Sequence, residues 1–486
     1  MSVRSSASLA AHAAVALAAV TLALTSSCTL TRTKVDSCSQ NSDCRGAFGV
    51  GRTCGSDGLC EAAPANARCT TTFPPDVLTR SENYPGVLLV GALMDRSVES
   101  QRARENAIRL AATQVNELKG VDGHLFGVVF CDVAEAPVYD SAKRTDAAVA
   151  SARYLQSVVG VSVIVGPSSS TDALAVFSAL KGLDVVVISP SATSPALTGA
   201  DVKNATDDVP GLLWRTAPPD TLQGAAIVRH VRTAFPLVKS VAVVQEKGPY
   251  GDALTSVFTA GFAQEGRTVT PFPYRTTSER DAAIVGAGAT STSIALFISS
   301  QTTDAIAFLN AAQSLPSYAA TTLFLTDSAA NKDLLTGAAG ASAAFPRVIG
   351  SRPAVPQGPT FELFKTSFSA AFRQDPNTFS FVPHSYDATW LAFYGTARAI
   401  RRAKRVTGVG IARGLRSLSD KSPEVAVTPA NWGRIIDALG AGGTVNIVGA
   451  SGALDYDPTT QETTGLVDIW KISNNAIETV TTIDPR

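Results

Sequence analysis

Charge is scarce in this sequence. Only 17% of its 486 residues are charged, and 41 basic residues balance 41 acidic ones. Such a chain carries no general field to gather nucleic acid. Histidine is scarcer still: His12, His124, His230 and His384 are scattered along the chain. No H-E-x-x-H, G-x-S-x-G, P-loop or G-x-G-x-x-G pattern occurs. Gly408-x-Gly410 followed by Gly414 misses the dinucleotide spacing. These absences leave no catalytic, cofactor or metal pattern, so the chain reads as a non-enzyme. Long apolar runs are almost lacking too. Leu9 to Leu24 is mostly Ala, Val and Leu without charge, too short and weakly flanked for a stable spanning helix, and no other uncharged apolar run of spanning length appears. What is present is 45% apolar residues, enough to fill a core and to exclude wholesale disorder. The length suits two or three domains.

Arg4 followed by the Leu9–Leu24 run reads as a secretory signal over residues 1–27. It ends at Thr25-Ser26-Ser27-Cys28, which resembles a bacterial lipobox. That resemblance implies cleavage before Cys28 and lipid on Cys28. The protein would then be exported and held by its lipid, facing the periplasm or cell surface. Ordinary secretion, with Cys28 a free or paired thiol, is the alternative. Seven cysteines are an odd number for an exported protein, and lipid on Cys28 leaves six to pair. Four of them form Cys38-x5-Cys44-x9-Cys54-x5-Cys60 within a stretch almost devoid of apolar residues. A small disulfide knot fits such a stretch better than zinc, whose ligand spacing is narrower. Its connectivity stays open. Residues 28–84 are thus expected to be a tether carrying the knot.

From Tyr84 the pattern alternates. Short apolar runs at Val87–Val90, Gly127–Cys131, Val161–Val165 and Val185–Ile188 read as strands buried on both faces. Helical spacing separates them. After a pause at Trp214–Asp220 the rhythm resumes, with strands at Val241–Val244, Ile294–Ile298 and Leu323–Leu325. Further helical patterns cover Phe361–Phe372 and Ser385–Arg402, and Leu466–Ile472 is strand-like. The prediction is α/β: two doubly wound parallel-sheet lobes joined near residue 217. In such sheets ligands sit beyond the carboxyl ends of strands. Three of those ends are rich in hydroxyls: Gly166–Thr171, Ser189–Thr193 and Thr326–Ser328. Each can also be plain helix capping. Together they point to a site in which hydroxyls and amides hold a carboxylate and Asp327 an ammonium. The basic cluster Arg398–Arg405 reads as a solvated helix face.

The run Gly166-Pro167-Ser168-Ser169-Ser170, then Ile188 to Thr198, resembles the leucine/isoleucine/valine-type periplasmic binding proteins of ABC transporters. The likeness continues in order through Trp214–Gly224, Tyr250-Gly251, Ser385–Ala388 and Gly449–Asp457. It implies two lobes with three crossings and a ligand cleft that closes by hinge motion. Lobe one would be 85–217 plus 352–444; lobe two would be 218–351 plus 445–486. It also implies a carboxylate grip by Ser170, Ser191 and Thr193, ligand packing by Tyr250, an ammonium partner in Asp327, and a Cys69–Cys131 disulfide. Two departures stand out. Met94–Ser97 replaces a PLSG-like loop, and Ser299–Thr302 replaces a glycine-aromatic loop, placing Gln301 where an aromatic side chain is usual. The expected function is lipid-anchored capture of a small polar ligand, an amino acid or related carboxylate or amide, for an ABC permease. The alternative is a ligand sensor or surface-interaction lipoprotein without a transporter.

Overall fold

The computed structural model describes residues 37–136, 139–290 and 292–486. The signal segment and Cys28 lie outside the described residues. The knot comes first: helix α1 (Asn41–Phe48) and a hairpin of β1 (Arg52–Cys54) and β2 (Cys60–Ala62). Disulfides Cys38–Cys54 and Cys44–Cys60 close it. All four thiols are thereby consumed, so the zinc alternative lapses. The knot is docked rather than free. Asn41 Nδ2 donates to Ser157 O (2.8 Å) and Arg45 Nη1 to Val158 O (3.1 Å).

The expected tether is partly structural. Its residues Thr71–Phe73 form β3, which pairs antiparallel with β5 (Phe126–Asp132) at the edge of the first sheet. The Cys69–Cys131 disulfide, the pair that the resemblance implied, secures this edge. With β4 (Leu88–Met94), β6 (Val163–Val165), β7 (Val186–Ser189) and β8 (Leu213–Arg215), the order is β3-β5-β4-β6-β7-β8, parallel apart from β3. Helices α2 (Glu99–Glu117), α3 (Arg144–Tyr154) and α4 (Ser170–Ala179) make the crossovers.

The chain then enters the second lobe through α5 (Asp220–Ala234). Its sheet contains β9 (Ser240–Glu246), β10 (Thr268–Tyr274), β11 (Ile294–Ile298), β12 (Thr322–Leu325) and β13 (Val348–Pro353). Helices α6 (Pro249–Phe262), α7 (Thr277–Gly288), α8 (Thr302–Ser314) and α9 (Lys332–Gly337) alternate with the strands. Strand β10 escapes an apolar-run search because Pro271 and Pro273 interrupt it. It is the edge strand, the one place where missing N–H donors are tolerated.

The chain returns to lobe one as α10 (Pro359–Phe372) and α11 (Val382–Ala403). Trp390 of α11, packed edge-on against Phe393 and tilted against Trp432, anchors the main core against α2 and the first sheet. Helices α12 (Gly408–Leu415) and α13 (Trp432–Ala441) and the short strands β14 (Val425–Ala426), β15 (Ile447–Gly449) and β16 (Gly452–Ala453) follow. Ile447, Ala450, Leu454 and Tyr456 are buried in this same core. The expected crossing at residue 444 therefore falls later, between Tyr456 and β17 (Val467–Ser473), because this apolar run buries before the chain leaves. Strand β17 pairs antiparallel with β13 and with β18 (Ala476–Ile483), completing β10-β9-β11-β12-β13-β17-β18. Among the described residues no helix is long and apolar enough to cross a membrane.

Candidate functional site

The carboxyl ends of both parallel sheets face one cavity of about 100 Å³. Lobe one contributes Asp95 after β4, Ser168–Ser170 after β6, Ser191 and Thr193 after β7, and Ser100, Gln101 and Arg104 from α2. Lobe two contributes Tyr250 from α6, Ser300–Thr303 after β11, and Asp327 and Ser328 after β12. Phe381, just before α11, closes one side. All six expected ligand residues, Ser170, Ser191, Thr193, Tyr250, Gln301 and Asp327, line this cavity.

The lobes touch around it. Ser194 Oγ donates to Pro249 O (2.5 Å), Ser380 Oγ to Ala330 O (2.8 Å), and Ser100 N to Asp333 Oδ2 (3.2 Å). On the lobe-one wall, Ser169 caps α4 by accepting from Asp172 N (3.1 Å), and Ser170 Oγ accepts from Ser194 N (3.1 Å). The free N–H groups of α4 open onto the same space, which favours an anion. Ser191 Oγ donates to Ser168 O (2.9 Å) and accepts from Arg104 Nη1 (3.0 Å). Capping and site-building therefore coexist: Ser169 does the first while its neighbours are left for the second.

On the lobe-two wall, Asp327 is 4% exposed. It accepts from the Tyr250 hydroxyl and from Gln223 Nε2 (3.2 Å). Behind it lies Asp220, the first residue of α5, fully buried beside the Thr193 hydroxyl with no ion pair. Burial raises the pKa of both carboxyls, and the charge of Asp327 raises that of Asp220 further. Burial, then Asp327, also pushes the Tyr250 hydroxyl well above its usual range, so Tyr250 is a standing donor. Neither of these two buried carboxyls has a cation in ion-pair contact, and of the two only Asp327 lines the cavity.

Comparison with known proteins identifies the architecture. The receptor family ligand binding region matches residues 103–475. The chain belongs to this family. It is 32% identical over 109 residues to the Leu/Ile/Val-binding protein BraC3 of Rhizobium johnstonii, an alignment covering 22% of this chain and 27% of that protein. The leucine-binding protein LivK of Thermotoga maritima superposes with a TM-score of 0.63 at 17% identity, over 82% of this chain and 99% of that one. The isoleucine-bound LivJ of Streptococcus pneumoniae gives 0.61 at 17% identity, over 82% and 98%. A benzoate-bound solute-binding protein of R. palustris gives 0.59 at 15% identity, over 82% and 96%. The fold is that of type I periplasmic binding proteins. The family consists of ligand-binding regions rather than enzymes, so the chain is not an enzyme.

Within this family architecture, two charged groups escaped the sequence reading. Arg104 is 7% exposed, its Nε donating to Ser380 O (3.1 Å) and its guanidinium lying 5.1 Å from the Phe381 ring centre. Burial pushes its pKa down to about 10, with Asp327 and Asp333 opposing, so it stays cationic at neutral pH. Arg104 lies at helical spacing with Ile108, Ala111 and Val115, a signal that marks it among Arg102, Arg104 and Arg109 as the one on the buried face. Only the placement of the lobes turns Arg104 to the cavity, leaving Arg102 exposed and Arg109 paired with Glu105 (2.8 Å). Asp220 falls at the end of the proline-containing pause Trp214–Asp220. His384, buried in the first turn of α11, is held neutral: burial, then Arg104, pushes its pKa down to about 3. The Met94–Ser97 departure sends Arg96 to Glu105 (2.9 Å) and Asp95 to the cavity rim. Of the basic cluster, Arg401 pairs with Asp122 (2.8 Å) and Asp437 (2.6 Å).

Proposed function

We propose that the protein is an extracytoplasmic solute-binding protein that closes its lobes on a small amino acid with a polar side chain. The observation that carries this reading is the pairing of opposite buried charges across one small cavity: Arg104 and the α4 N–H groups on one wall, Asp327 on the other. A zwitterion supplies both missing counter-charges. The ligand's carboxylate would lie against Ser170, Ser191 and Thr193, and its ammonium against Asp327 and Tyr250. The lining carries few apolar groups, so a polar side chain suits it better than an aliphatic one. Calorimetry against L-glutamate, L-glutamine, L-serine and L-leucine tests the proposal. Binding of a polar member is expected; silence from folded protein across a broad amino-acid panel overturns it.

The carboxylate grip is spread over several neutral donors, so each one counts less than a charge. Ser191→Ala and Thr193→Val are each expected to cost about 1–3 kcal/mol of binding. Calorimetry with the bound amino acid checks this.

The anchor belongs to the same proposal. Cys28 would carry lipid, and delivery would be to an ABC permease. In cells, Cys28→Ala is expected to leave an unprocessed or soluble form. Mature wild-type protein with an unmodified N-terminus upstream of Cys28 refutes the anchor. The docked knot favours one alternative, a sensor whose knot meets a partner. Uptake of the ligand lost on deletion of the gene excludes it.

A further inference from the structure

Of the basic cluster at the end of α11, Arg401 alone has ion-pair partners. Arg402, Lys404 and Arg405 are exposed and form no ion pair among the described residues. Burial first, and then the neighbouring charges of Arg402 and Arg413, push the pKa of half-buried Arg398 down, with Asp207 opposing. The loop before β7 adds Lys181 and Leu183, both exposed. It is held beside the start of α12, where Asp184 O accepts from Gly408 N (3.1 Å) and Asp184 Oδ1 from Val409 N (2.7 Å). The acids nearby are engaged, Asp184 by that Val409 amide and Asp207 by Arg416 (2.8 Å). Uncompensated positive charge thus gathers beside Leu183 on a chain whose basic and acidic residues balance.

This end is the pole of lobe one away from the cavity. The cavity lies at the carboxyl ends of the strands, whereas residues 181–184 precede β7. Helix α11 runs for 22 residues, about 33 Å, from beside cavity-lining Phe381 to Ala403. The knot docks at the same pole: Asn41 and Arg45 hold the carbonyls of Ser157 and Val158, just before β6, the neighbour of β7. The described chain enters through the knot at Ser37, nine residues after Cys28. Such a stretch spans at most about 30 Å. Resting on the lipid-anchor reading above, we propose that this pole is a membrane-docking surface, in which Lys181, Arg402, Lys404 and Arg405 meet anionic lipid headgroups and Leu183 enters the interface. Cations are drawn to a negatively charged bilayer only within about a Debye length of it, and the short tether confines the pole near that surface. Docking holds lobe one against the bilayer with the cleft turned away from it and lobe two free to move.

Vesicle co-sedimentation tests this with the chain from residue 29 onward, which lacks the lipid site but keeps every described residue. Binding to vesicles of equal parts phosphatidylglycerol and phosphatidylcholine is expected, falling steeply with added salt, with none to pure phosphatidylcholine. The triple change Arg402→Gln, Lys404→Gln and Arg405→Gln should weaken that binding about a hundredfold, or about fivefold per charge. Lys181→Gln, on a separate loop, should cost about fivefold by itself. The control triple Lys239→Gln, Lys247→Gln and Arg275→Gln removes as many exposed charges from lobe two and should leave binding near wild type. All these side chains are exposed, so the variants should unfold at the wild-type temperature. Absence of binding to the anionic vesicles, equal loss in the two triples, or wild-type binding by the first triple overturns the proposal. The anchor is read separately, from the mass of the mature N-terminus. An unlipidated Cys28 refutes the anchor, and the vesicle result then still decides whether this pole is a docking surface.

Discussion

Asp327→Asn is expected to weaken amino-acid binding by roughly 30-fold or more, the scale of 2–5 kcal/mol set by stranding a charge inside a closed site. An ammonium shut in this cavity loses its water, and Asp327 is the carboxylate that lines it on the second lobe. The Tyr250 hydroxyl and Gln223 Nε2 already orient that carboxylate, so little reorganisation is needed on binding. Asparagine keeps the shape and can still accept from Tyr250, but it carries no charge. The effect should therefore exceed that of Ser191→Ala or Thr193→Val. Burial raises the Asp327 pKa, so wild-type affinity should also fall as acid protonates this group, and the Asn variant should lack that dependence. Calorimetry across pH measures both. An Asp327→Asn variant of near-wild-type affinity shows that the ligand has no ammonium at this position.

The second large effect runs in the opposite direction. Asp220→Asn should stabilise the ligand-free protein at neutral pH by several kcal/mol, because it removes a buried carboxyl without an ion-pair partner. Opposing influences compete at this residue, and the Thr193 hydroxyl is one that favours the charge. The α5 N-terminus favours the charge by at most about 2 kcal/mol. Arg215 also favours it but is committed to Glu462 at 2.5 Å. Burial and the charge of Asp327 oppose it, and their net effect lifts the pKa well above its usual 3.8. The folded state therefore binds a proton that the unfolded state has released. By linkage, wild-type stability declines as pH rises from about 4 through the raised folded value, and the deficit persists above it. The gain from Asp220→Asn should thus grow as pH rises above about 4 and vanish below it. Because the entropy of unfolding grows with chain length, it should raise Tm by about 1 °C per kcal/mol gained. Thermal unfolding at pH 4 and pH 7.5 checks this; a variant less stable than wild type at pH 7.5 contradicts it.

The alternation of strands and helices was legible in the sequence because it is local. A short apolar run buried on both faces and a 3.6-residue spacing are properties of a few neighbouring residues. The hydroxyl-rich ends at Ser168–Ser170, Ser189–Thr193 and Thr326–Ser328 were legible for the same reason. Strand ends of parallel sheets are where ligands gather, whatever the rest of the chain does. Strand β10 was not legible, because Pro271 and Pro273 are permitted only by its edge position, and being at an edge is a property of the whole sheet. Residues 71–73 read as tether until pairing with β5 made them a strand. The site divides in the same way. Asp327 and Tyr250 follow from motif and position. The burial of Arg104 was legible in its helical spacing with Ile108, Ala111 and Val115, but that it faces a cavity shared with the second lobe required the tertiary structure. Asp220 required it too: a carboxyl at a helix start is ordinarily a solvated cap, and only the surrounding lobes, by excluding water and setting Asp327 beside it, oppose its ionisation.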